Sequence, residues 1–85
     1  MHPDDILAAL RRKPFEPFSL HLTDGTHYDI LHPEQAMTTR RTVIVGVPAA
    51  AGGPFERADT VAVVHVVRMV PLEPTPGTPP ANGPN

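Results

Sequence analysis

The side chains this 85-residue chain offers for chemistry are five histidines, nine acidic residues and seven basic ones. It contains no cysteine, which removes thiolate catalysis, a disulfide framework and a thiolate zinc site. His27 and His32 stand five apart with Asp24, Asp29 and Glu34 nearby. These are cation-binding residue types, but the spacing matches no H-E-x-x-H or comparable ligand pattern, so no metal is expected. No Ser/His/Asp order, nucleophile elbow, phosphate loop or dinucleotide fingerprint appears. Asp4 and Asp5 read as acids at a helix start, where they meet the positive end of the dipole. Neither an enzyme nor a cofactor is expected.

What remains is basic. Arg11-Arg12-Lys13 and Arg40-Arg41 hold five of the seven basic residues, in a chain whose net charge is −2 with histidines neutral. Distribution matters more than the sum, because phosphate meets a local patch. His21, on the wet side of a strand, and His65, inside an apolar run, complete the candidate set. The plain alternative for each is a solvated side chain or, for His65, a ring satisfied by backbone.

The elements that must position these residues start with a short helix over Asp4–Arg12, capped by Asp4. Ile6, Leu7 and Leu10 share one face of it, and Arg11, Arg12 and Lys13 complement its negative end. So short a helix is marginal alone and must pack on something. Next, Phe18, Leu20 and Leu22 alternate with Ser19, His21 and Thr23, the period-2 pattern of a half-buried strand. Asp24-Gly25 tolerates positive φ and turns the chain, so Tyr28 and Ile30 fold back as a second strand.

That second strand is expected to bend or bulge at His32-Pro33, since proline cannot donate to a ladder in mid-strand, and Glu34–Thr39 reads as strand or turn, with a bent continuation of the strand favoured. Thr42–Val47 predicts a third, central strand, in which Gly46 marks a close approach or strong curvature. Pro48–Pro54 reads as a loop. Phe55–Val64 predicts a fourth strand and His65–Val70 a fifth, with a tight bend near Val64-His65. Residues 73–85 carry no large apolar side chain and are expected to be a disordered Pro/Gly-rich tail, leaving residues 1–72 as one domain. The expected fold is a small five-stranded, strongly bent antiparallel barrel. The longest apolar run, Val61 to Val70, is broken by His65 and Arg68 and falls far short of the roughly 20 residues a membrane helix needs. A soluble, cytoplasmic protein is the expectation.

Leu7-Ala8-Ala9-Leu10-Arg11-Arg12, leading into Ser19-Leu20-His21-Leu22-Thr23-Asp24-Gly25, resembles the N-terminal helix and first strand of the bacterial Sm-like (Hfq-like) family. His65-Val66-Val67-Arg68-Met69-Val70-Pro71 is similar to that family's last strand. An SH3-like barrel is the alternative architecture. The Sm-like resemblance implies a homo-oligomeric ring, joined by pairing the fourth strand of one subunit with the fifth of the next. It also implies binding of single-stranded RNA. Arg11 and Arg12 match the family's basic rim, His21 stands where a base-stacking tyrosine stands, and His65 where a pocket histidine stands. Departures are Ile30 in place of a strand glycine and Val63-Val64 in place of the Tyr-Lys before that histidine. Two roles follow: a ring that binds RNA through Arg11, Arg12, Lys13, His21, Arg40, Arg41 and His65, or an interaction module that touches no nucleic acid.

Overall fold

The computed structural model describes residues 1–72, so the expected tail at 73–85 lies outside the described residues. The chain runs α1 (Pro3–Arg11), β1 (Phe18–Leu22), β2 (His27–Ile30), β3 (Ala36–Thr38), β4 (Thr42–Pro48), β5 (Phe55–Ala62) and β6 (Val66–Pro71). Two single-turn 3-10 segments, Pro33–Gln35 and Val63–His65, join β2 to β3 and β5 to β6. The fold is mainly β with one N-terminal helix, as the sequence predicts. The strands number six rather than five.

They form two antiparallel sheets, in the orders β2-β1-β6 and β3-β4-β5. Among the described residues no ladder joins the sheets into a closed barrel. The expected bent second strand accounts for the extra element. Pro33 supplies no ladder donor, and the turn it opens breaks the strand into β2 and β3. The expected bend at Val64-His65 is likewise a 3-10 turn, so β5 stops at Ala62 and β6 starts at Val66.

The helix starts at Pro3 rather than Asp4. His2 is the cap, its Nδ1 accepting the Asp4 N–H at 3.1 Å. Proline suits the first helical position, where its missing N–H has no partner to lose. Asp4 and Asp5 keep their place in the positively polarised first turn. Ile6 and Leu10 are buried and carry the helix onto the core.

The hairpin closes with Leu22 N–H donating to Thr26 C=O and Gly25 N–H to Leu22 C=O. Gly25 has φ +89°, a region open to glycine at little steric cost. Asp24 fixes the turn by accepting both the Thr26 N–H (2.9 Å) and its hydroxyl (2.6 Å). Because Leu22 faces Thr26, the register places Leu20 opposite Tyr28, Phe18 opposite Ile30 and His21 opposite His27. Phe18, Leu20 and Ile30 meet Val43 and Val45 of β4, Val63, Val66 and the helix in one buried core.

Gly46 makes the close approach its position suggests. A side chain there would meet the Phe55 ring, whose Cδ2 lies 2.7 Å from where a Cβ would sit. The bare backbone receives the aromatic face instead.

The corner between β2 and β3 is held by Gln35, which is only 4% exposed. Its Oε1 accepts the Leu31 N–H at 2.9 Å. Its Nε2 donates to Asp29 C=O at 2.9 Å and to Gly46 C=O at 3.0 Å. One side chain thus ties β2 to β4 where the ladder is missing.

Candidate functional site

The seven basic and histidine candidates fall into three separate groups. Arg11, Arg12 and Lys13 lie exposed at the C-terminal end of α1. Arg12 Nη1 donates to Glu16 Oε1 at 2.7 Å, an exposed pair worth at most about 1 kcal/mol that leaves the guanidinium reachable. Arg40 and Arg41 occupy the tight turn between β3 and β4. Thr39 Oγ1 accepts the backbone N–H of Arg41 (3.2 Å) and of Thr42 (3.0 Å), and Arg41 C=O accepts the Val63 N–H at 2.8 Å. Arg40 lines a shallow groove with His2, Asp4 and Leu7, at the N-terminal end of α1. Arg11, Arg12 and Lys13 thus stand at the C-terminal end of α1 and Arg40 toward its N-terminal end. The structure does not bring them together.

His21 and His65 form the third group. The His21 ring stacks on His27, with centroids 5.3 Å apart and planes 18° from parallel. His65 closes the β5–β6 turn, its C=O accepting the Thr23 N–H at 2.9 Å and its Nδ1 lying 3.5 Å from Thr23 Oγ1. Pairing of β1 with β6 places Arg68 beside His21. The outer face of the sheet thus carries a row His27–His21–Arg68 across three strands. His27 Nε2 is also 3.7 Å from Asp29 Oδ1. One position along, Ser19 is buried between Asp29 and Val70, and its Oγ finds no partner among the described residues.

His27 and Arg68 were not among the residues that sequence reasoning selected. The signal for His27 was present: once Asp24-Gly25 is placed in a three-residue turn, the hairpin register puts it opposite His21. Arg68 depends on a pairing between distant segments that no local pattern encodes. Among the described residues no three histidine, aspartate or glutamate side chains converge as a metal site would require.

A second polar chain links the two sheets. The Tyr28 hydroxyl donates to Asp59 Oδ2 at 2.6 Å, and Arg57 Nε donates to Asp59 Oδ1 at 2.9 Å. Both bonds hold the Asp59 carboxyl below its ordinary pKa, with the Tyr28 bond the larger cause. The same bond, with partial burial, raises the Tyr28 phenol. A carboxylate with a depressed folded-state pKa stabilises the fold above the ordinary value of about 4 and loses that contribution as pH falls through the lower folded value. The difference in melting temperature between wild type and Asp59→Asn is therefore expected to be largest near neutral pH and to shrink below about pH 4. A difference that stays constant across this range would mean the carboxylate charge plays no part.

No family model, curated protein or solved structure matches the chain. No described helix is long and apolar enough to cross a membrane. The fold and the geometry above are what any functional reading must rest on.

Proposed function

We propose that the chain is a non-enzymatic, self-associating module of Sm-like build whose subunits join edge to edge into a ring. The observation that carries this is a corner flanked by two strands, β5 and β6, each paired on one side and open on the other among the described residues. Among the described residues β5 and β6 each end their sheet, and the corner between them exposes apolar surface, with Val64 of the turn 76% and Val67 of β6 55% accessible. The run Val61–Val67 that spans this corner is rich in valine and carries no acidic or basic residue besides His65, and such a run on an open edge is a hazard that pairing with a neighbour removes. A repeated heterologous contact of this kind closes into a ring when the rotation permits. The 3-10 turn between β5 and β6, the pairing of β6 with β1 and the β2–β3 corner all accord with an open Sm-like arrangement.

Val67→Lys places a charge on that edge and is expected to shift the protein to monomer in sedimentation velocity, with its melting curve otherwise kept. An unchanged assembly would place the contact elsewhere.

Binding of single-stranded RNA is the second reading. It is favoured by the His27–His21–Arg68 row, whose stacked rings offer aromatic faces beside a cation. Arg11, Arg12, Lys13, Arg40, Arg41 and His65 would add separate basic contacts, repeated by each subunit of a ring. Binding of this kind weakens steeply with salt, by a log–log slope of about −0.7 per phosphate contact on a single strand. Titration of a labelled oligouridylate from low to moderate salt is expected to show that loss, with Arg11→Ala/Arg12→Ala weakening binding at every salt concentration. No binding at low salt would leave a protein-docking module as the remaining role.

A further inference from the structure

The ladder pattern of the hairpin determines which backbone groups of β2 are left over. Leu22 N–H donates to Thr26 C=O across the hairpin, so by alternation Tyr28 and Ile30 turn their N–H and C=O groups toward β1. By alternation His27 and Asp29 turn theirs outward. β2 is the edge of its sheet, so among the described residues those outward groups have no strand to pair with. Gln35 occupies the place of one missing residue. Its amide donates to Asp29 C=O and accepts from Leu31 N–H, the pair of bonds that a neighbouring strand running parallel to β2 would make around Ile30.

The same amide nitrogen reaches across to Gly46 C=O on β4. Two carbonyl oxygens bonded to one nitrogen lie roughly 5 Å apart, and each strand axis runs about 2 Å behind its oxygen. That places β2 and β4 at most about 9 Å apart at this point, somewhat under twice the strand spacing of about 4.8 Å. β3 pairs with β4 only as far as Val45, so the β4 segment beyond it lacks a neighbouring strand on this side. The result is an open cleft of about 380 Å³ between Asp29 and Leu31 on one wall and Gly46, Val47, Pro48 and Arg57 on the other. Leu31 is 48% exposed at its rim and offers apolar surface there.

We propose that this cleft is a strand-addition site that takes the extended main chain of a peptide from a partner protein, laid along the outer edge of β2 beyond Gln35. The N–H and C=O of His27 and the N–H of Asp29, which have no partner among the described residues, supply the main-chain bonds, and Leu31 packs against an alternate side chain of the incoming strand. A segment with proline at the pairing positions is rejected because it lacks the donor. The site uses the edge of the β2-β1-β6 sheet opposite to β6, and so is independent of the ring contact.

The test is an amide-resolved titration of the full chain with the blocked hexapeptide acetyl-Thr-Val-Thr-Val-Thr-Val-amide. The comparison peptide is the same sequence N-methylated at alternate residues along one edge. In the free protein the Tyr28 and Ile30 amides are expected to exchange slowly, and those of His27 and Asp29 fast. On addition of the unmethylated peptide, the His27 and Asp29 resonances should shift and gain at least tenfold protection, while the methylated peptide should bind at least tenfold more weakly. Slow exchange of His27 and Asp29 in the free protein would overturn the proposal. So would the absence of any shift at millimolar peptide, shifts confined to β5 or β6, or equal binding of the methylated peptide.

Discussion

Gln35→Ala is expected to cost the fold about 2–4 kcal/mol, because it removes three backbone bonds at once. Leu31 N–H, Asp29 C=O and Gly46 C=O all lose their partner, and Gly46 lies in the buried part of the corner. Water entering from the cleft re-satisfies the Leu31 and Asp29 groups in part, which keeps the loss below the sum of three unsatisfied buried groups. For a domain of this size, whose whole stability is of the order of 5 kcal/mol, that loss leaves little folded protein at 37 °C. Gln35→Glu separates geometry from donor capacity. It keeps the shape but turns a second oxygen toward two carbonyls, and is expected to be no better tolerated than the alanine. Urea unfolding measures both through the midpoint at unchanged slope. A loss below about 1 kcal/mol for the alanine variant would mean that the corner is held by packing alone.

Ile30→Ala is expected to cost about 3 kcal/mol, within the range for burying and then deleting a large aliphatic side chain. Ile30 is fully buried and pairs with Phe18 across the hairpin, so the truncation opens a cavity at the heart of the β2-β1-β6 sheet. Ile30→Val removes one methylene and is expected to cost about 1 kcal/mol. The backbone on either side of Ile30 is the part that Gln35 grips, at Asp29 and Leu31. The two substitutions are therefore not independent. In the double variant the losses should fall short of their sum by at least about 0.5 kcal/mol, because either change alone already loosens the same corner. Strict additivity would show that the latch and the core act separately.

The strands and turn of the hairpin were legible in the sequence, from the alternation of Phe18, Leu20 and Leu22 and the Asp24-Gly25 pair. The wet face was legible only in part, because Ser19, expected on it, is buried and Leu22 is half-buried. The helix was legible too, apart from its cap. His2 is a less common cap than the Asp4 that follows it, and Pro3 between them decides the outcome. β3 was not legible as a separate strand, since three residues are too few to show a period. Nor was the Gln35 latch. Its partners lie four, six and eleven residues away around a corner, and a glutamine between Glu34 and Ala36 gives no periodic signal of burial.

The site was legible only in part. The sequence shows which charges are neighbours along the chain, but it is the length of α1 that separates Arg11-Arg12 from Arg40. His21 was selected for its place on the wet face of β1, and its stacking partner follows from the hairpin register. Arg68 joins them through the β1–β6 pairing, whose strands are more than forty residues apart. Long-range pairing is set by packing of the whole core, which a local pattern does not carry.

If β5 and β6 are edges that meet in neighbouring subunits, the native mass of the full chain must show it, by light scattering at several concentrations. The expected result is a single closed assembly of roughly five to seven subunits whose mass does not change with dilution over the working range. A monomer at every concentration would contradict it, and would leave Val64 and Val67 as exposed apolar residues with no role in assembly.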